Sequence, residues 1–440
     1  MANDMMVKEL DQVVVRFSGD SGDGMQLAGN IFSTVSATVG NDISTFPDYP
    51  ADIRAPQGSL TGVSGFQVHI GASKVFTPGD KCDVLVAMNA AALKTQYKFA
   101  KSTACIIIDT DCFQASDLQK AAFKTDNPIE EMGIKQDVIA APISQMVKDC
   151  LAETGMDNKA MLKCRNMFAL GLVCWLFNRD LKIAEDFLRE KFAKKPEIAE
   201  ANIKVIHAGY DYGHNTHASV AHTYKIESKI KTPGIYGSGS WKLPNLDTYP
   251  EIKPQYVTPE MKDNYTPYKR NPENQVRYWA IPGQEGYTHI LGGLEKDSNT
   301  GAISTDPENH NLMCHLRAEK VAKIAVPDVE VQGCADDADL LIVGFGGTYG
   351  HLYSAMEEMN KAGQKVALAH FSYINPLPKN TAEVLKKYKK VVVAEQNLGQ
   401  FAGYLRMKVD NFTPYQFNEV KGQPFVVSEL VAAFTEILKK

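Results

Sequence analysis

The chain has 440 residues, 44% of them hydrophobic and 22% charged, with a net charge of −5. These figures fit a globular protein of about three domains and exclude bulk disorder, collagen and a coiled-coil rod. The mild acidity provides no basic field to gather nucleic acid or an anionic membrane.

In chain order, Met1–Gln12 carries no secretory pattern, which predicts a cytoplasmic setting with reduced thiols. Val13-Val14-Val15 leads through Phe17 into a break at Gly19-Asp20-Ser21-Gly22-Asp23-Gly24. An apolar period (Leu27, Ile31, Phe32, Val35) then predicts a helix from Met25 to about Val39. Strand, glycine turn and helix open an α/β unit. Asp83–Ala87 and Ala104–Asp109 read as buried parallel strands, with a short helix over Ala90–Tyr97 between them. Met161–Phe177 reads as one strongly apolar helix, and Pro196–Tyr210 as the last helix of this domain. From His214 to about Pro254 the periodicity fades. Asp306–Ala325 predicts a helix with Asp306 as N-cap and Pro307 at its first position. A second α/β domain follows: strands at Asp339–Val343, Lys365–His370, Lys390–Ala394 and Pro424–Val427, and helices at Tyr349–Lys361, Thr381–Tyr388, Gln400–Lys408 and Glu429–Lys439.

Local motifs leave the chemistry open. Gly19–Gly24 spaces as G-x-x-G-x-G, so it does not meet the dinucleotide fingerprint, and Asp20 and Asp23 would repel a pyrophosphate. Asp23 could cap the helix, and the helix start can meet one phosphate or carboxylate, so structural turn and ligand loop both stand. As a tight turn, the loop is expected to fail on Gly22→Val. Phe46–Gln67 reads as a long functional or mobile loop. Its Arg54 either clamps an anion or pairs with a local Asp. His214 and His217 are three apart, but no H-E-x-x-H exists and no metal ligand is assigned. The eight cysteines show no C-x-x-C, which argues against an iron–sulfur cluster or zinc ribbon in this chain. Gly344–Gly350 reads as a structural strand-to-helix turn. Gly237-Ser238-Gly239-Ser240 is either a surface turn or an engineered flexible linker.

Longer segments carry a resemblance. RFSGDSGDGMQLAGNIF, FPDYPADIRAPQGSLTGVSGFQVHIG, GDKCDVLVAMNAAALK and KCRNMFALGL resemble the gamma domain of the 2-oxoacid:ferredoxin oxidoreductases. EGYTHILGGLEKDSNTGAISTDPENH, GFGGTYGHLYSAMEEM, HFSYINPLPKN and AEQNLGQFAGYLR resemble the C-terminal part of the alpha subunit of the 2-oxoglutarate enzyme. The resemblance implies two α/β domains with mostly parallel sheets, joined by an irregular segment. These are a gamma domain over residues 1–212 and a transketolase C-terminal-like domain over 336–440. Residues 213–236 are a connector, 237–240 a linker, and 241–335 an irregular connector with one helix. Relatives carry a pyrimidine-binding domain between the two, and here ESKIKTPGIY and WKLPNLDTYPEIKP resemble its entry and exit. That makes Gly237–Ser240 an engineered bridge over an excised domain.

The implied chemistry is oxidative decarboxylation of a 2-oxoacid with coenzyme A as co-substrate, giving acyl-CoA, carbon dioxide and reduced ferredoxin. Thiamine diphosphate, Mg²⁺ and iron–sulfur clusters belong to the complete complex. Gly22, Asp23, Gly24 and Gln26 match a loop near coenzyme A in related pyruvate enzymes. Where that loop continues to a Lys, this chain has the neighbourhood of Asn30. No catalytic residue is assigned, and the shortened chain is expected to be inactive. The implied partners are a beta subunit, ferredoxin through the complex and a second copy in a homodimer, with no nucleic acid and no membrane. The alternative is a non-catalytic α/β module that binds a ligand or partner.

Overall fold

The computed structural model describes residues 6–52, 55–216, 222–229, 235–236, 247, 251 and 253–440. Arg54, His217 and Gly237–Ser240 lie outside the described residues. By internal contacts the chain divides into two compact units. The first comprises Met1–Ser240 with Gly347–Glu358 and Lys421–Ala433. The second comprises Trp241–Gly346 with Met359–Val420 and Phe434–Lys440.

The first stretch runs β1 (Met6–Glu9), β2 (Gln12–Asp20), α1 (Met25–Thr38), β3 (Asp42–Asp48), β4 (Val63–Gly71), β5 (Cys82–Ala87), α2 (Ala90–Gln96) and β6 (Ala100–Asp109). It continues through α3 (Ala115–Lys120), α4 (Pro128–Glu131), β7 (Asp137–Ala141), α5 (Ile143–Leu151), α6 (Asn158–Leu162) and α7 (Arg165–Leu176). Then come α8 (Lys182–Lys191), α9 (Pro196–Thr216), β8 (His222–Lys225) and β9 (Ile235–Tyr236). Seven strands form one sheet in the order β7-β6-β5-β2-β4-β3-β9. The run from β7 to β2 is parallel, as the apolar strand runs predict. β4 pairs antiparallel with both β2 and β3. Pairing continues beyond residue 212, since β8 pairs with β1 and β9 with β3.

The segment expected as one long loop, Phe46–Gln67, is shortened from both ends, since β3 runs to Asp48 and β4 starts at Val63, and the described residues between them form no strand or α-helix beyond a 3-10 turn at Leu60–Gly62. Both faces of β4 are buried, and its polar residues are satisfied rather than exposed. Gln67 accepts from Arg16 at 3.0 Å and donates to the carbonyls of Pro78 and Gly79. Arg16, 2% exposed, also pairs with Asp48 and donates to Gln96 at 2.8 Å. A buried guanidinium with three partners holds β2, β3 and α2 in register, which no hydrophobic period reveals.

The expected single helix over Met161–Phe177 is broken at Lys163-Cys164. Asp157 caps α6 at the Ala160 N–H, and α7 starts afresh at Arg165. The break places a cation at the head of an otherwise buried apolar helix. α7 packs against α9 so closely that Gly171 has no room for a side chain. A Cβ there would stand 2.0 Å from the Ile206 carbonyl oxygen, and one on Gly209 would stand 2.1 Å from that of Phe168.

In the remainder, α10 (Pro307–Ala322) is capped as expected, Asp306 accepting from the Glu308 N–H. A five-stranded sheet follows from β10 (Val331–Gly333), β11 (Leu340–Phe345), β12 (Val366–Phe371), β13 (Val391–Glu395) and β14 (Tyr415–Asn418), in the order β10-β12-β11-β13-β14. Between and after these strands in the chain come α11 (Tyr349–Lys361), α12 (Thr381–Lys387), α13 (Gln400–Lys408) and α14 (Val427–Lys439). Buried Glu395 ends β13 and accepts from the Phe401 and Ala402 N–H groups, anchoring the start of α13.

The expected strand at Pro424–Val427 is absent. Val427 opens α14, whose first N–H groups, at Val427 and Ser428, are taken by the Asp80 carboxylate at 2.8 and 2.9 Å. The edge strand is β14, whose alternating exposure is too short a signal to read. Among the described residues no helix is long and apolar enough to cross a membrane.

Candidate functional site

Parallel strands deliver their carboxyl ends to one rim of the sheet, where open α/β sheets bind ligands. In the first unit, the ends of β2, β5 and β6 surround a cavity of about 330 Å³. Its walls include Asp20, Asn89, Cys112, Ser144, Lys148 and Arg165.

Each wall residue is placed by its own element. Asp20 closes β2, and its Oδ2 accepts from the Gly58 N–H at 2.8 Å. Asn89 caps α2, with its Oδ1 accepting from the Ala92 N–H at 2.8 Å. Asp109 closes β6 just behind the wall. It accepts from the Ser144 hydroxyl at 2.6 Å and from the Ser144 N–H at 3.2 Å, tying β6 to the start of α5.

Arg165 is the hub. Its Nη2 donates to Asp23 Oδ1 at 2.7 Å, and its Nη1 donates to Cys112 Sγ at 2.9 Å and lies 3.8 Å from Asp109 Oδ2. Burial works against its charge, but Asp23, Cys112 and Asp109 outweigh it and lift the guanidinium above its ordinary value. Burial raises the Asp109 carboxyl, opposed by Ser144 and Arg165. Burial, then the neighbouring Asp23 charge, raises Asp20, opposed by the Gly58 N–H and Asn89. Burial and then Asp109 push the Cys112 thiol up to about 12. At neutral pH it is a thiol, so it offers no thiolate nucleophile.

The loop named from the sequence has a different part to play. None of Gly22, Asp23, Gly24 and Gln26 lines the cavity. Asp23 does not cap α1. Its Oδ2 folds back onto the Asp20 N–H at 3.0 Å, while Oδ1 holds Arg165. Gly24 is the N-cap, in left-handed conformation at φ 72°, and its carbonyl accepts from Asn166. Gly22 is exposed at an unstrained angle, with nothing within 4 Å of a Cβ built on it. The turn's demand therefore falls on Gly24, where a Cβ would stand 2.7 Å from Asn166 Nδ2. This reverses the sequence expectation. Gly22→Val should shift stability by no more than about 0.5 kcal/mol, whereas Gly24→Val should cost about 2–3 kcal/mol. Paired urea denaturation curves check both.

Arg165, Asn89 and Asp109 were missed as site residues, although each lies in or next to a quoted segment. For Asn89 and Asp109 the signal was positional, a polar residue at the end of an apolar strand run, whereas Arg165 opens α7 and carries no such signal.

Comparison with known proteins identifies the scaffold. Residues 14–212 match the family described as pyruvate ferredoxin/flavodoxin oxidoreductase, and residues 338–424 match pyruvate:ferredoxin oxidoreductase core domain II. The 2-oxoglutarate oxidoreductase subunit KorA of Mycobacterium tuberculosis is 30% identical over 601 residues, covering 96% of this chain and 91% of the relative. The chain belongs to the 2-oxoacid:ferredoxin oxidoreductases, as a KorA-type subunit. The alpha subunit of 2-oxoacid:ferredoxin oxidoreductase 1 from Aeropyrum pernix is 29% identical over 182 residues, 39% of this chain and 28% of that one. The fold is also that of the 2-oxoglutarate:ferredoxin oxidoreductase of Magnetococcus marinus, solved with 2-oxoglutarate, coenzyme A and succinyl-CoA bound. That match has a TM-score of 0.75 at 18% identity, covering 98% of this chain and 100% of the other.

Proposed function

We propose that this KorA-type subunit serves a 2-oxoglutarate:ferredoxin oxidoreductase and receives part of coenzyme A in the cavity built around Arg165. The observation that carries the reading is the 30% identity to a 2-oxoglutarate oxidoreductase subunit across 91% of that relative's length. The coenzyme A bound to the Magnetococcus enzyme of the same fold supports the ligand. Gly22 and Gln26 do not line the cavity and are read as contacts to the part of coenzyme A that extends beyond it. Asp23 and Gly24 act from behind it, through Arg165 and Asn166.

We further propose that a domain is absent between the two matched regions. The alignment to the mycobacterial relative spans 601 positions, at least 161 more than the chain's 440 residues. The matched segments end at 212 and resume at 338, on either side of Gly237–Ser240. The absent domain is the one expected to hold the thiamine pyrimidine ring and the residues that read the 2-oxoacid.

The residues present do not fit the remaining cofactors. A thiamine diphosphate site needs a carboxylate free to hold its metal ion, but both oxygens of Asp23 are engaged within the fold. All eight cysteines are free, and among the described residues no group of three His, Cys, Asp or Glu could hold a metal. Thiamine diphosphate, Mg²⁺ and the iron–sulfur cluster are therefore assigned to a beta-type partner subunit, from which ferredoxin takes electrons.

The test is co-expression with a beta-type subunit and measurement of coenzyme A- and 2-oxoglutarate-dependent viologen reduction. A chain with the relative's extra segment inserted between Tyr236 and Trp241 should be active, and the 440-residue chain should not. Turnover by the 440-residue chain would refute the missing domain. Inactivity of the restored, assembled complex would refute the functional assignment.

A further inference from the structure

His310, Cys314 and Arg317 follow one another along α10 at spacings of four and three, which puts them on one face of the helix. Glu295 reaches the same face from the preceding loop. That loop is fastened to α10 by Asn309, whose side chain donates to the Lys296 carbonyl at 3.0 Å and accepts from the Ser298 N–H at 2.9 Å.

The four side chains close a ring of contacts. Glu295 Oε2 lies 2.6 Å from His310 Nδ1, and Glu295 Oε1 accepts from Arg317 Nη1 at 3.0 Å. Cys314 Sγ lies 3.7 Å from His310 Nε2 and accepts from Arg317 Nη2 at 3.2 Å. His310 and then Arg317 hold the Glu295 carboxyl below its ordinary value, so at neutral pH it is a carboxylate and only accepts. His310 Nδ1 therefore donates to it. In the neutral ring Nε2 is then left as an acceptor, turned toward the thiol. Nucleophile, base and orienting carboxylate stand in the order that activates a nucleophile, and the guanidinium meets the negative charge that forms on sulfur.

The other seven cysteines lack this setting. Burial pushes the Cys82, Cys105, Cys112 and Cys174 thiols up to about 12 and the Cys164 thiol up to about 11. Cys150 and Cys334 are half-buried, and their sulfurs meet the Lys204 carbonyl and the Asn360 side-chain oxygen. Cys314 is the exposed one of the eight.

We propose that Cys314 is a modification site that exchanges with low-molecular-weight disulfides. His310 Nε2 takes the Sγ proton, and Sγ attacks one sulfur of the disulfide. The S–S bond breaks, a mixed disulfide forms at Cys314, and the departing thiolate takes the proton back from His310. One thiol and one disulfide enter, and one mixed disulfide and one thiol result, so no further oxidant is needed. Glu295 is a positioning residue, acting through the His310 ring. A second thiol reverses the exchange and restores the ring of contacts.

The test is incubation of the 440-residue chain with glutathione disulfide at neutral pH, followed by mass spectrometry of the intact chain and of its peptides. One glutathione should add first at Cys314, about tenfold or more faster than at Cys150 or Cys334. His310→Ala keeps the thiol exposed but removes the base. It should slow addition at Cys314 by about tenfold or more and leave the slower additions elsewhere unchanged. Glu295→Gln should slow Cys314 in the same direction. First addition at another cysteine, or none at Cys314, would overturn the proposal on the unaltered chain, with no variant required to fold. An unchanged rate at Cys314 in His310→Ala would show that exposure alone selects this thiol and would overturn it as well.

Discussion

Gly171→Val is expected to unfold the first unit or to cost more than about 3 kcal/mol. The reason is contact between backbones. α7 is buried from Asn166 to Leu176 and lies against α9, with Gly171 facing the Ile206 carbonyl. The smallest side chain would stand 2.0 Å from that oxygen, well inside van der Waals contact. Two backbones cannot yield as a rotamer can, so the helices must part. Parting them opens space around Phe168, Leu172 and Trp175 in the same core cluster. Gly171→Ala should show the same direction with a smaller loss. Urea denaturation followed by far-ultraviolet circular dichroism measures both. A midpoint unchanged by either substitution would show that the helices do not approach as described.

Arg165→Met should cost about 3–5 kcal/mol, because it strands two buried carboxylates together. Asp23 loses its 2.7 Å partner, and Asp109 loses the cation 3.8 Å away. The deficit should depend on pH, with a sign that follows from Asp109. Its folded value already lies above 3.8, so folding favours its protonated form, and its stabilising contribution fades as pH rises from 3.8 through the folded value. Removing Arg165 removes an influence that lowers this carboxyl, so the folded value climbs further. The variant's deficit is therefore full above that raised value and shrinks as pH falls toward 3.8. Stability curves for both chains between pH 4 and 8 should converge at the acid end. Parallel curves would mean that the loss is packing alone.

The hydrophobic code carried most of the scaffold. Val13–Phe17, Asp83–Ala87 and Asp339–Val343 are strands because unbroken apolar runs at that length suit a sheet covered on both faces. α1, α10 and α13 start where glycine, Asp306 and glycine stand before them. The same code failed wherever polar residues are buried and paired. β4 carries Ser64, Gln67 and His69 in the interior, and polar spacing of that kind reads as a loop. Val427 looked like strand because the Asp80 carboxylate that starts its helix lies 347 residues away in sequence.

The site was less legible for the same reason. Its glycine loop was visible, but the residue that matters there for the backbone is Gly24, not Gly22. The cavity joins residues 20, 58, 89, 112, 144 and 165, which no local spacing connects. Arg165 could be placed only once the helix break at Lys163-Cys164 was known.

The most direct measurement of the account is a pair of calorimetric titrations on the purified 440-residue chain, one with coenzyme A and one with thiamine diphosphate and Mg²⁺. The structure pairs a cavity suited to part of coenzyme A with a Gly22-Asp23-Gly24 turn whose carboxylate is already engaged. Saturable heat with coenzyme A and none with thiamine diphosphate is the expected result. A micromolar isotherm for thiamine diphosphate would contradict both the division of labour between subunits and the missing domain.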